Sequence, residues 1–279
     1  MLLDCAGKSL DLSAPRIMGI VNVTPDSFSD GGKFFSRDAA LKQAVRLVED
    51  GAAILDIGGE STRPGSQPVS EQEEMDRVVP VIEAIHAELD VPISIDTMKA
   101  GVMREAVAAG AGLINDVNAL RSEGALKTAA ELDVPVCLMH MQGTPQTMQN
   151  APDYQDVVSE VEAFLLERVA ACKQAGIKGS NILLDPGFGF GKRARHNLRL
   201  MKHLSRLTAL PYPVLIGVSR KSIIGDMLKV DVNERLAGSL ALAAIAVWQG
   251  ARLIRTHDVR ETVQTVKLTQ HVQQVEDFD

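Results

Sequence analysis

At 279 residues, 46% hydrophobic but only 4% aromatic, the chain is long enough for one large core or two small domains. Its net charge of −7 argues against a nucleic-acid or membrane-surface binder, so an anionic substrate would need a local basic pocket. Cys5, Cys137 and Cys172 share no metal-type spacing and read as reduced thiols of a cytoplasmic protein; no signal pattern opens the chain, and its most apolar run, Leu236 to Trp248, is too short to span a bilayer.

Residues 1–14 predict a short hairpin around Gly7-Lys8. A repeating pattern follows. Ile17–Val23 predicts a buried strand, then a helix with Ala40, Ala44, Leu47 and Val48 on one face, stopped by Gly51. Ile54–Ile57 is the next strand, and Ser70 with Glu73 marks a capped helix carrying Met75, Val78, Ile82, Ile85 and Leu89 at helical period. Ile93–Asp96 leads to a helix near Lys99–Ala109, and Leu113–Asn115 to one from Ser122 to Leu132. Val136–His140 precedes a longer loop and a helix lined by Val157, Val161, Phe164, Leu165, Val169 and Cys172. Ile182–Asp185 precedes a helix around Asn197–Leu207. Val214–Gly217 precedes a short helix near Lys221 and a longer one over Asn233–Gln249. Arg252–Arg255 is the last strand, with a closing helix from Val259.

Eight strands alternating with helices, over this length and without a low-complexity linker, predict a single α/β domain over 1–279: a (β/α)8 TIM barrel with a short N-terminal hairpin. An open doubly wound sheet would carry one dominant phosphate loop, whereas here polar residues punctuate nearly every strand end. Those ends are Asn22, Asp56, Asp96, Asn115, His140, Asp185, Ser219 with Lys221, and Arg255 with His257. A strand-end aspartate is commonly a helix N-cap, and Asp56 either does that or contacts ligand. Several such groups converging on one barrel mouth read as a site.

Five stretches carry chemistry. Asn22 to Gly32 is a turn-rich loop with Phe28 among polar residues, suited to a lid. In Gly58 to Gly65, glycines let backbone approach a ligand and Arg63 offers a fork for phosphate or carboxylate. Asp185 to Lys192 delivers an acid from a buried strand into a glycine-rich loop. It is no Walker motif, because Lys192 is followed by Arg193 and only three residues separate Gly187 from Gly191. Gly217 to Ser222 opens a helix, where backbone N–H groups with Ser219 and Lys221 make an anion seat. Arg255-Thr-His257 is a second, separate basic cluster. In the inner row, Asp185 can accept two N–H bonds, Asn115 can donate and accept, and Lys221 can donate to a carbonyl and a ring nitrogen: a pattern for the pyrimidine edge of a pteridine or purine-like ring.

Together, Met18 to Gly32, Asp56 to Gly65, Ser94 to Thr97, Ile114 to Asp116, Leu138 to Gly143, Asp185 to Lys192, Ser219 to Ser222 and Arg255 to Val259 closely resemble the dihydropteroate synthases of bacterial folate synthesis. Thr256 stands where an apolar residue is also common. The resemblance implies condensation of a dihydropterin-methyl diphosphate with 4-aminobenzoate, with Mg2+ as cofactor. By matching position, Asp96, Asn115, Asp185 and Lys221 would hold the pterin, with Gly217 and Ser219 in the substrate site. Asn22 would be a magnesium ligand. Thr62, Arg63, Arg255 and His257 would bind the diphosphate region, and Phe28, Pro64, Phe190 and Ser222 would shape the 4-aminobenzoate pocket. Asn22, Asp96, Asp185, Lys221, Arg255 and His257 would carry the catalysis.

Rivals are a methyltetrahydrofolate-dependent methyltransferase domain, a metal-dependent hydrolase and a non-catalytic pterin-binding barrel. The helix Asn233–Gln249 is apolar nearly all round, more than a barrel wall covers, which predicts a homodimer contact; the resemblance also implies a homodimer. The expected partners are the two small-molecule substrates, with no nucleic acid and no membrane.

Overall fold

The computed structural model describes residues 1–23, 33–62 and 65–275, with side chains in the first helix from residue 37 onward. Phe28, Arg63 and Pro64 lie outside the described residues.

β1 (Leu2–Cys5) and β2 (Lys8–Asp11) pair antiparallel as the expected hairpin, turning through Ala6 and Gly7, both at positive φ. Eight parallel strands follow: β3 (Arg16–Asn22), β4 (Ile54–Gly58), β5 (Ile93–Asp96), β6 (Leu113–Asp116), β7 (Val136–Met139), β8 (Ile182–Asp185), β9 (Leu215–Gly217) and β10 (Leu253–Thr256). Their spatial order is β8-β7-β6-β5-β4-β3-β10-β9. The two edges, β8 and β9, meet through a single bridge between Leu184 and Val214 and a 3.0 Å bond from Leu184 N to Pro213 O. That contact closes the sheet into the expected α/β barrel.

The surrounding helices are α1 (Lys33–Glu49), α2 (Glu71–Glu88), α3 (Ala100–Ala108), α4 (Ala125–Leu132), α5 (Val157–Gln174), α6 (Ala194–Lys202), α7 (Ser205–Thr208), α8 (Ser222–Leu228), α9 (Leu236–Trp248) and α10 (Val259–Gln274). Ser70 caps α2 by accepting from Glu73 N at 3.1 Å, as its spacing predicts. Three helices depart from expectation. α4 begins at Ala125 rather than Ser122, because Gly124 at φ +73 breaks the turn before it. The helix expected over Asn197–Leu207 begins earlier and is split into α6 and α7, with His203 leaving helical geometry between them. α9 starts at Leu236, after a 3-10 turn over Val232–Glu234.

The barrel interior is built in layers of alternate residues, as the two-residue period of a strand requires. Met18, Ile54, Leu113, Cys137, Leu183, Leu215 and Leu253 form the lower layer and cluster with Leu3, Cys5, Leu10 and Leu12 of the hairpin. The hairpin thus plugs the bottom, so closely that a Cβ on Gly112 would run into the backbone of Cys5. Two residues further along six of these strands come Asp56, Asn115, Met139, Asp185, Gly217 and Arg255. Apolar filling below and polar groups above come from one alternation. A second, larger cluster lies between the outward strand faces and the helices, including Ile57, Val78, Ile82, Ile114, Leu138, Leu165 and Ile216.

Candidate active site

Arg255 and Asp56 form the floor of the mouth. Arg255 donates from Nε to Asp56 Oδ2 at 2.5 Å and from Nη2 to Asp96 Oδ2 at 2.8 Å. Asp56 is fully buried and also accepts from Asn115 Nδ2 at 3.1 Å. That bond fixes the Asn115 amide, so its Oδ1 serves as an acceptor above. Asp56 therefore braces two other site residues, and its Oδ1 remains without a partner. Burial pushes Asp96 up to about 7; Arg255 opposes this, while the charges of Asp56, Glu74 and Asp116 add to it. For Arg255, burial is outweighed by the two carboxylates, and the guanidinium is held above its ordinary range.

Asp185 ends β8 and is 6% exposed. Its Oδ1 accepts from Gly187 N at 2.7 Å, which starts the loop Gly187–Gly191. Burial raises the Asp185 pKa, against the nearby charge of Lys221 and the Gly187 N–H. Lys221 stands at the start of α8, donates to the carbonyl of Phe188, and lies 4.5 Å from the centroid of the Phe190 ring. Burial draws Lys221 down to about 8, with Asp185 holding it up and Arg255 pressing it further down. Gly187, Gly189 and Gly191 all have positive φ, and a Cβ on Gly187 would collide with the His140 carbonyl.

β9 and β10 are neighbours, so the two basic clusters expected as separate pockets are one. Ser219 Oγ lies 2.9 Å from His257 Nδ1 and accepts from His257 N at 3.1 Å. His257 and Ser222 are exposed at the rim, Ser219 and Gly217 are buried beneath them, and Thr62 is half-buried on the second loop. Asn22 ends β3 opposite Gly58. A Cβ on Gly58 would lie 3.8 Å from Asp96 Oδ2 and 4.0 Å from Asn22 Oδ1, so both oxygens lie close to that glycine.

Asn22, Asp96, Asn115, Asp185, Gly217, Ser219, Lys221 and Arg255 are thus gathered at one end of the barrel, with Phe190 half-buried beside Lys221. His140 is not part of that mouth. It sits behind the Asp185 loop, 2.8 Å from Lys192 Nζ, and burial drives its pKa down to about 2, with the Lys192 charge adding to the effect.

Sequence reasoning missed two supporting groups. Lys192, though a lysine, is 3% exposed. Under the second loop, Lys99 Nζ bridges Glu60 Oε2 and the buried Glu74 Oε2, each at 2.5 Å. The i, i+4 step from Ser70 to Glu74, set against the buried Val78, was the available signal for Glu74.

The pterin binding enzyme family model matches residues 18–257. The dihydropteroate synthase of Escherichia coli strain K12 is 53% identical over 97% of this chain and 96% of its own length. The Xanthomonas albilineans dihydropteroate synthase solved with 4-aminobenzoic acid superposes with a TM-score of 0.94 at 53% identity, covering 99% of each chain. The same enzyme in complex with 7,8-dihydropteroate gives 0.90 at 50% identity, covering 99% of this chain and 100% of that one. The chain, with its ring of acceptors and one ammonium at a barrel mouth, belongs to the pterin-binding enzymes and, among them, to the dihydropteroate synthases.

Proposed function

We propose that the chain condenses (7,8-dihydropterin-6-yl)methyl diphosphate with 4-aminobenzoate to 7,8-dihydropteroate and diphosphate. The observation that carries this reading is the convergence of Asp96, the Asn115 carbonyl, Asp185 and the Lys221 ammonium on one mouth. Three acceptors beside one donor complement a ring edge with several N–H groups and one carbonyl. The ligands of the solved Xanthomonas enzyme, 4-aminobenzoic acid and 7,8-dihydropteroate, support the same pair of reactant and product.

The residues divide the work. Asp185 and the Asn115 carbonyl accept from the pterin, and Lys221 donates to it. Arg255 holds Asp56 and Asp96 in place and has an Nη left over for an anion. Thr62, Arg63, His257 and Asn22 take the diphosphate end, with Ser219 orienting the His257 ring. As the C–O bond to diphosphate breaks, positive charge spreads into the electron-rich dihydropterin, and the carboxylates of Asp96 and Asp185 favour that cation. The aniline nitrogen then attacks the methylene carbon from a pocket formed by Phe28, Pro64, Phe190 and Ser222. Closing that pocket excludes water from the cation.

Magnesium is the proposed cofactor. The Asn22 carboxamide oxygen, near Gly58 as Asp96 Oδ2 is, is a hard donor. An ion held by one protein oxygen would complete its shell with water and substrate phosphate. When bound it would neutralise charge on the departing diphosphate.

A homodimer is proposed through α9 and α10. α9 buries Ser239, Ala243, Ala246 and Val247, while Ile245, Trp248, Leu268 and Val272 stand exposed on the paired helices. Sedimentation at micromolar concentration tests this, and a monomer would refute it. The three buried thiols suit a reducing compartment, and the cytoplasm is the location we propose. Among the described residues no helix is long and apolar enough to cross a membrane.

Diphosphate release measured with and without 4-aminobenzoate tests the reaction. Release that requires both substrates is expected. Turnover of methyltetrahydrofolate instead, or binding without release, would overturn the proposal.

A further inference from the structure

A lysine that is 3% exposed is unusual unless its ammonium is fully used. Lys192 Nζ lies 2.8 Å from His140 Nδ1, 2.9 Å from Gly187 O, 2.9 Å from Phe190 O and 3.2 Å from His140 O. Burial draws the Lys192 pKa down, with Asp185 opposing. Three carbonyl oxygens and the lone pair of the neutral His140 ring, all within 3.2 Å, favour the ammonium, whose three N–H donors face these four acceptors. The two loop carbonyls it holds belong to the first and fourth residues of Gly187–Phe190, whose own backbone closes with Phe190 N to Gly187 O at 3.1 Å. On the opposite side of the loop Lys221 takes the carbonyl between them, that of Phe188. The loop is therefore gripped by two ammonium groups, one behind and one within the site.

Three further side chains bond the loop backbone. Tyr154 donates its hydroxyl to Gly191 O at 2.7 Å, Asn197 Oδ1 accepts from Gly189 N at 2.8 Å, and Gln149 Nε2 donates to Gly189 O at 2.7 Å. Asn197 Nδ2 also donates to Lys192 O at 3.2 Å. Among the described residues, only Lys192 binds two carbonyls of the Gly187–Phe190 turn at once.

We propose that Lys192 is a positioning residue, which sets the shape of the Gly187–Gly191 loop from behind and so places the Phe190 ring against the incoming amine. This rests on the proposed condensation for its substrate assignment. Asp185 and Lys221 each make one bond to this loop, at Gly187 N and Phe188 O. Their own backbones are held outside it, at the end of β8 and the start of α8, so loss of Lys192 disturbs the amine pocket more than the pterin seat.

The test is Lys192→Met, which keeps the length of the chain and removes its donors. The Michaelis constant for 4-aminobenzoate should rise by about tenfold, with that for the pterin diphosphate moving by less than about threefold. Amide hydrogen exchange across 187–191, followed by mass spectrometry without substrate, should accelerate. A role confined to stability would lower kcat with the active fraction and leave both Michaelis constants alone, which would overturn the proposal. So would an equal rise in both constants, or unchanged exchange in the loop. Tyr154→Phe is a milder lesion of the same brace, and should shift the 4-aminobenzoate constant in the same direction if Lys192→Met does not fold; no shift there would also overturn it. The exchange readout is independent of substrate: faster loop exchange in a chain whose wild type shows no coupled diphosphate release would sink the reaction assignment alone.

Discussion

Replacing Asp185 by Asn changes one atom in the centre of the site while preserving its shape. The carboxylate is buried, is fixed by Gly187 N at 2.7 Å, and faces the positive charge of Lys221. Two pterin N–H groups bonded to an anion are worth about 1.5–3 kcal/mol each, and the amide retains only one neutral acceptor worth about 1 kcal/mol. The net loss is roughly 2–5 kcal/mol, or about 30- to 5000-fold in kcat/KM. Diphosphate release at subsaturating pterin ester, with saturating 4-aminobenzoate, measures that ratio directly. Thermal unfolding of the same preparation should change little, because burial already disfavours the charged form. A variant within threefold of wild type would show that Asp185 does not read the pterin edge.

The basic limb of the pH profile should follow Lys221, whose ammonium is held at about 8. The group is needed protonated, so kcat/KM falls as pH rises through that value, and in Asp185→Asn the limb moves lower because Asp185 was holding the lysine up. A limb unmoved by Asp185→Asn would contradict the coupling. Arg255→Met should cost about 3–5 kcal/mol in chemical denaturation, since it leaves buried carboxylates without their guanidinium. Asp96 is already raised to about 7 and would rise further; a folded-state pKa above the unfolded one means ionisation opposes folding, so the deficit is full at high pH and shrinks on acidification. A deficit that grows on acidification would refute this. A sulfonamide should compete with 4-aminobenzoate and not with the pterin ester, as steady-state kinetics can decide. Arg63→Ala should harm turnover far more than ester binding, and equal losses by calorimetry and kinetics would count against a late role.

Most of the barrel was legible because its strands are short apolar runs ended by one polar residue. Leu183 with Asp185, Leu113 with Asn115 and Leu253 with Arg255 each repeat the step from filled barrel to open mouth. His140 was misread for want of that same parity. Cys137 and Met139 take the inward positions of β7, so the next residue points behind the wall, toward Lys192, Tyr154 and Phe164. Asp116 shows the same rule from the other side, spending its carboxylate on the N–H groups of Asn118 and Leu120. The pairing of Asp56 with Arg255 joins residues 199 apart in the chain, and no local pattern reports it. Nor does a lysine at the end of a glycine-rich run announce that it is buried.

The single bridge between Leu184 and Val214 makes the junction of β8 and β9 the least stitched line of the barrel. Asp185 stands on one bank of that line and Gly217, leading to Lys221, on the other. Any ring held by both spans the gap and supplies a cross-link that the backbone omits. A ring so held would act as a stave hoop, tightening the cylinder around itself, and the empty barrel should breathe first along this one seam.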